Sequence, residues 1–191
     1  MKYNSVGYQP GDASHLISVI QQIQAPSGVT LTMDSARAVV GRGLSLLFDL
    51  TLKNLGSFTE TFNTTAYANT ITVYTKQVPL TSGNSTTISF VWDTTGFAYG
   101  NYTMSACAMP VSGETNTTDD TVFGGRVVIT IPGDINGDFN VGLTDLVILA
   151  QAYGSRPGDS KWNINADIDG NSAVGLSDLV ILAQHYGQHY P

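Results

Sequence analysis

Residues 141–154, VGLTDLVILAQAYG, return as residues 174–187, VGLSDLVILAQHYG, with twelve of fourteen positions identical at an offset of 33. Upstream, Asp134-Ile135-Asn136-Gly137-Asp138 pairs with Asp167-Ile168-Asp169-Gly170-Asn171 at the same offset. A duplication of this quality commits the C-terminal part of the chain to one supersecondary unit used twice. The charge follows the duplication. Gly133 to Pro191 holds seven Asp, no Glu, one Arg and one Lys, so −5 of the total −7 sits there.

The acids fall in a pattern that suits a hard cation. Asp134, Asn136, Asp138, Asn140 and Asp145 occupy positions 1, 3, 5, 7 and 12 of a twelve-residue loop. Asp167, Asp169, Asn171, Ala173 and Asp178 occupy the same positions of the second. Calcium takes six to eight oxygens at about 2.4 Å, and alternating ligand and spacer residues let a short loop wrap it. Positions 1, 3 and 5 supply side-chain oxygens, and position 7 supplies its backbone carbonyl. Asp145 and Asp178 close the sphere from the first turn of the following helix, where a carboxylate also suits the helix dipole. Position 9 is Gly142 or Gly175, so water is expected in that direction. Two ions are expected, and magnesium fits such a many-ligand cage poorly.

Residues 29–131 read as strands. Leu44, Leu46, Phe48, Leu50 and Leu52 alternate with polar partners, and Ile88, Phe90 and Trp92 do the same. Tyr102, Met104, Ala106 and Ala108 continue the style, as do Val127, Ile129 and Ile131, with Gly- and Asn-bearing turns between the runs. About seven short strands at this spacing predict an antiparallel β-sandwich of immunoglobulin-like type, with Trp92 as a core anchor and Tyr102 in a strand-corner hydrogen bond. The expected organisation is an N-terminal segment over 1–28, a sandwich over 29–132 and a small α-helical calcium-binding domain over 133–191. Residues 16–23 fit either a short helix or an edge strand. The segment 1–28 is therefore a candidate assembly strand for a neighbour's open sheet edge.

Residues 133–187 resemble a dockerin domain of the type I kind: two D-x-[ND]-G-[DN] loops, each followed by [TS]-D-L-V-I-L-A-Q-x-Y-G. The stretch between them is similar to dockerin-like tails on archaeal secreted proteins. The resemblance implies calcium-dependent folding, a near-twofold module and a cohesin partner. It places partner recognition at loop positions 10 and 11, here Leu143-Thr144 and Leu176-Ser177. This sequence departs from the family at position 6, where Phe139 and Ser172 replace the usual Gly. A non-Gly residue at positive φ there costs about 1 kcal/mol. The helices at 146–150 and 179–183 are apolar all round, so part of that surface must meet the sandwich, another subunit or a cohesin. Trp92-Asp93-Thr94-Thr95-Gly96-Phe97, Gly100-Asn101-Tyr102, Ala106-Cys107-Ala108 and Gly113-Glu114 resemble the cell-adhesion-related CARDB family over 29–131. That implies a secreted or surface spacer or adhesive domain.

Several function classes are excluded. Eight Lys+Arg against fifteen Asp+Glu leave no basic footprint for nucleic acid. No apolar run approaches the ~18 residues of a membrane span. Met1-Lys2-Tyr3-Asn4 leads into no signal-peptide core, so an export signal is expected to have been removed or to lie outside this sequence. The single Cys107, flanked by inward-facing alanines, reads as a small structural residue. No catalytic constellation emerges, and the chain is expected not to be an enzyme. Four N-x-[ST] sequons, Asn63, Asn84, Asn101 and Asn116, are candidate glycosylation sites in an extracellular protein. The reading that follows is a non-enzymatic extracellular structural or adhesion protein whose calcium-loaded module mediates protein–protein assembly with a cohesin-like module or copies of itself. The alternatives are a filament or surface-layer subunit polymerising by strand exchange, and a cohesin-docking fragment of a larger carbohydrate-active enzyme.

Overall fold

The computed structural model describes residues 28–35, 37–114 and 116–191. The segment assigned above as an assembly strand lies outside the described residues, apart from Gly28. Among the described residues, eight strands form two sheets: β1 (Val29–Ser35), β2 (Val39–Gly41), β3 (Ser45–Asn54), β4 (Glu60–Ala68), β5 (Ile71–Leu80), β6 (Ser85–Asp93), β7 (Gly100–Ala108) and β8 (Thr121–Thr130). One sheet has the order β1-β3-β6 and the other β2-β8-β7-β4-β5. The pairings are antiparallel except β2 with β8, which run parallel from Val39↔Val128 to Gly41↔Thr130. The chain thus leaves the first sheet after β1 and joins the edge of the second through a three-residue strand. Three residues are too few to show any period, which is why this strand has no signature in the sequence.

Period-two alternation builds the core. Leu46, Phe48, Leu50 and Leu52 of β3 point inward, and so do Ile88, Phe90 and Trp92 of β6. Trp92 is fully enclosed, edge-on to Phe97 at 5.1 Å and to Tyr102 at 5.7 Å between ring centroids. Such contacts add to the large apolar area these rings bury. The Tyr102 hydroxyl donates to Ala98 O at 3.0 Å and pins the turn before β7. Tyr102→Phe should therefore lower sandwich stability by about 1 kcal/mol, read from urea unfolding, with the fold retained. Cys107 is half-buried, between the fully buried Ala106 and Ala108. Of the sequon asparagines, Asn84, Asn101 and Asn116 are exposed and Asn63 on β4 is half-buried.

After β8 the chain enters a second, smaller core. Two ten-residue helices, α1 (Leu143–Ala152) and α2 (Leu176–His185), follow the two loops, with a single 3₁₀ turn at Ile164–Ala166 between them. Each helix ends in the same way. Tyr153 and Tyr186 take φ −56°, Gly154 and Gly187 take positive φ, and a turn closes by Ser155 N–H to Ala152 O and Gln188 N–H to His185 O, both 3.0 Å. This is type II geometry, and it needs glycine at the positive-φ position.

The helix ends then cross over. Gly154 N–H donates to Val174 O and Val174 N–H to Ser155 O, so the end of α1 clasps the second loop. Reciprocally, Gly187 N–H donates to Val141 O and Val141 N–H to Gln188 O, so the end of α2 clasps the first. Each copy of the repeat completes the other, which explains why the unit occurs twice.

The smaller core rests on the sandwich. Leu44 and Tyr99 of the sandwich pack against both cores, and Ile131 belongs to the second. A Cβ on Gly133 would stand 2.9 Å from Leu182 Cα, and φ there is +100°, so only glycine lets the chain turn beneath α2. At Gly137 a Cβ would come within 3.2 Å of Val39 Cγ2. The C-terminal Tyr190 stacks edge-on against Tyr99 at 4.8 Å, with the Arg42 guanidinium 4.3 Å from the Tyr99 ring centroid.

Candidate metal centre

The two loops have nearly the same internal wiring. In the first, Asp134 Oδ1 accepts from Gly137 N–H at 2.7 Å, and Oδ2 accepts from Phe139 N–H at 2.7 Å and from the Thr130 hydroxyl. In the second, Asp167 Oδ1 accepts from Asn171 N–H and Oδ2 from Ser172 N–H, both at 3.0 Å. Phe139 and Ser172 share φ 65°, the left-handed region that their position required. That conformation aims each N–H at the position-1 carboxylate, a charge-assisted bond that offsets the strain. Phe139 also sets its ring 6.2 Å from Tyr190, a contact that glycine could not make.

Position 12 ties the ends of each loop together. Asp145, fully buried, accepts from Ile135 N–H at 2.8 Å, Asn136 N–H at 3.2 Å and Gly142 N–H at 2.9 Å. Asp178, equally buried, accepts from Ile168 at 2.6 Å, Asp169 at 3.2 Å and Gly175 at 2.8 Å. The residue in position 9 is thus the N-cap glycine of the helix, and its N–H is held by the position-12 carboxylate. Asp138 Oδ1 receives Asn140 N–H at 2.9 Å, and Asp169 Oδ2 receives the Asn171 amide at 2.9 Å. Asn136, Asp138, Asn140, Asp169 and Asn171 are exposed, whereas Ala173 is half-buried.

Electrostatics at the loops call for a positive partner. Burial raises the Asp134 carboxyl, against hydrogen bonds from Thr130, Gly137 and Phe139 that lower it, and Asp145 raises it further. Asp167 is likewise raised by burial, opposed by the Ser172 N–H and Arg37. One carboxylate oxygen from each of Asp167, Asp169 and Asp178 lies within 4.8 Å of the others. That is the greatest spacing two oxygens can have around one ion at about 2.4 Å from each. The donor set, all oxygen and mostly carboxylate, fits a hard divalent cation.

Three contributors carry no signal in the sequence. Arg37, between β1 and β2, is 8% exposed and reaches across the junction to donate to Asp167 O and to Ile168 O, the latter at 3.3 Å. Burial lowers its guanidinium pKa, while Asp167, Asp178 and Asp169 raise it. It stays charged and is a local counter-ion to the second loop. The buried Thr130, the last residue of β8, anchors Asp134 through its hydroxyl. The tail beyond α2 adds Tyr190 N–H to Phe139 O at 2.9 Å.

Leu143 and Leu176 stand at the first position of each helix, 67% and 66% exposed. One turn on, Val147 and Val180 are 46% and 45% exposed, and Ala150 and Ala183 continue the stripe in the open. Thr144 and Ser177 are exposed beside them. The sandwich covers neither stripe.

The model of the dockerin type I domain matches residues 132–185, and the CARDB model matches residues 29–121. The chain is a CARDB-like domain fused to a dockerin type I-like domain. Both families are non-catalytic, and dockerin domains in general bind calcium. No curated protein matches the chain. Among solved structures, a CARDB domain from Pyrococcus furiosus in complex with di-metal ions is 20% identical, covering 56% of this chain and 96% of that one at TM-score 0.49. A Methanosarcina acetivorans domain, provisionally named a cell surface protein, is 24% identical and covers 55% and 92% at TM-score 0.43. A Listeria innocua β-glucosidase is 14% identical, with 16% of that enzyme covered at TM-score 0.43. None of these likenesses carries a function to the CARDB-like domain. Among the described residues no helix is long and apolar enough to cross a membrane.

Proposed function

We propose that this is a non-enzymatic, extracellular structural or adhesion protein whose dockerin-like module, loaded with two calcium ions, docks a cohesin-like protein. Asp134, Asn136, Asp138 and Asp145, with the Asn140 carbonyl, would hold one ion. Asp167, Asp169, Asn171 and Asp178, with the Ala173 carbonyl, would hold the other. The bound ions supply charge compensation and cross-link each loop to its helix. The protein's own residues do the rest: the position-12 carboxylates align the helix starts, and the CARDB-like sandwich is a rigid spacer behind them.

The observation that carries the reading is the matched pair of exposed stripes, Leu143-Val147-Ala150 and Leu176-Val180-Ala183. An apolar stripe left open on one helix is ordinary. Two, equal in exposure and related by the repeat, present the same surface to a partner in two orientations. Purified cohesin modules titrated calorimetrically in millimolar calcium test this. Leu143→Asp or Leu176→Asp alone should cost only about twofold in apparent affinity, a statistical factor, because the other face remains. Together they should weaken binding at least a hundredfold, since a charge is then buried against apolar surface. Equal binding by the double variant would refute the assignment of these faces.

A further inference from the structure

The connection from β7 to β8 lies at the end of the sandwich remote from the dockerin-like module, since β8 runs from Thr121 there to Thr130 at the junction. Its carboxylates Glu114, Asp119 and Asp120 belong to no repeat and match no loop spacing. One oxygen from each lies within 4.8 Å of the others. Asp120 is 4% exposed, and neither of its oxygens has a hydrogen-bond partner among the described residues. Asp119 Oδ1 is buried and equally unpartnered. The contrast with Asp145 and Asp178 is direct, because each of those buried carboxylates receives three backbone N–H groups. Where this fold buries a carboxylate elsewhere it supplies donors; at Asp120 the described residues supply only two more acids.

Two members of the cluster are anchored. Glu114 is held through Oε1 by Val29 N–H at 3.2 Å and through Oε2 by Val111 N–H at 2.9 Å. Asp120 is fixed through its backbone, its carbonyl accepting from Ala108 N–H at 2.8 Å. Burial first, then the charge of Glu114 and the hydrogen bond the two carboxyls share when one is protonated, then the charge of Asp119, push the Asp120 carboxyl up to about 6. At neutral pH it is still mostly ionised, so an uncompensated charge remains in the cluster.

We propose that Glu114, Asp119 and Asp120 bind a third divalent cation, calcium by class, at the far end of the sandwich. Their oxygens are hard and anionic, and their mutual spacing spans one ion at about 2.4 Å. With three protein residues and the remaining positions left to water, the affinity belongs with weak extracellular sites, Kd about 10⁻⁴–10⁻³ M. Through Glu114 the ion ties the β7–β8 connection to Val29, the first residue of β1. It braces the point where the N-terminal segment enters the sandwich.

The test uses the full chain and calcium itself. Native mass spectrometry and equilibrium dialysis in 10 mM calcium should count three ions per wild-type chain and two for Asp120→Asn. Trp162, in the dockerin-like core, should respond to calcium identically in both. From chelator to 10 mM calcium, the transition that unfolds the sandwich should rise by about 5 °C more in wild type than in the variant. In chelator the variant should melt above wild type, because an unpartnered buried charge is gone. A variant that melts higher by the same margin with and without calcium would mean that Asp120 and Glu114 share a proton instead, and the proposal would fall. Should Asp120→Asn not fold, Glu114→Gln and manganese anomalous scattering from crystals of the wild-type protein decide. No anomalous peak at the three carboxylates in 10 mM manganese overturns the site. The dockerin loops are read separately by Trp162, so their failure and the failure of this site are distinguishable.

Discussion

Chelation of calcium is expected to unfold the dockerin-like module and leave the CARDB-like sandwich folded. Asp134, Asp145, Asp167 and Asp178 are each no more than 4% exposed. Leaving buried carboxylates uncompensated costs several kcal/mol per charge, and the small second core has little surplus to offset that. The ions' binding energy is therefore folding energy for the module. The two tryptophans divide the readout: Trp92 lies in the sandwich core and Trp162 against the module core. Chelator should shift Trp162 emission and remove the helical signal while Trp92 stays buried. Asp145→Ala with Asp178→Ala should do the same even in calcium. Six backbone N–H bonds lose their acceptor, each worth about 1–3 kcal/mol when buried. A module that keeps its helices through both treatments would sink the calcium assignment.

The pH response should reverse with calcium. Burial raises Asp134 and Asp167 above their unfolded values, so the folded module binds more protons than the unfolded chain. In chelator, stability should therefore increase as pH falls from 7 toward 4 and be lost as pH rises through the folded pKa values. In calcium, protons compete with the ion for the same oxygens, and acidification should destabilise the module. The helical signal at pH 5 and 7 in chelator, and the thermal midpoint at both pH values in calcium, measure the two slopes.

The residues that carry these effects differ in how far the sequence discloses them. The loop carboxylates are legible because they alternate within twelve residues and recur at a fixed offset; both are local properties. The inward faces of β3 and β6 are legible for the same reason, since a period of two shows within nine residues. What stays hidden is made by contacts distant along the chain. The Val141–Gly187 and Val174–Gly154 clasps are backbone bonds and leave no mark on side-chain choice. The parallel pairing of β2 with β8 rests on three residues. Glu114, Asp119 and Asp120 converge through a loop without periodic spacing, and only burial separates them from ordinary solvated acids. Arg37 is a single cation in a connection, and nothing near it in sequence names its acceptors.

Arg37 is where the two domains should come apart. Arg37→Met keeps most of the apolar stem and removes two charge-assisted hydrogen bonds to Asp167 O and Ile168 O, each worth about 1.5–3 kcal/mol. Both acceptors are carbonyls of buried residues, so they are left unpaired in the interface. The other contacts across the junction are Leu44 and Tyr99 against the second core, Ile131 within it, the Thr130 hydroxyl on Asp134, Gly137 on Val39 and Tyr190 on Tyr99. A loss of about 3–6 kcal/mol at the junction is large against the coupling that an interface between two small units supplies. In saturating calcium the wild type should melt as one cooperative unit, and Arg37→Met should show the module melting first, well separated from the sandwich. Small-angle scattering should give a larger radius of gyration for the variant, while calcium stoichiometry at the two loops is unchanged, because Arg37 donates no ligand. Arg37→Lys should fall between, since one ammonium cannot span both carbonyls with the fork geometry of a guanidinium. If Arg37→Met still melts in a single transition with unaltered scattering, the coupling lies in the apolar contacts alone and Arg37 serves only as a counter-charge to the second loop.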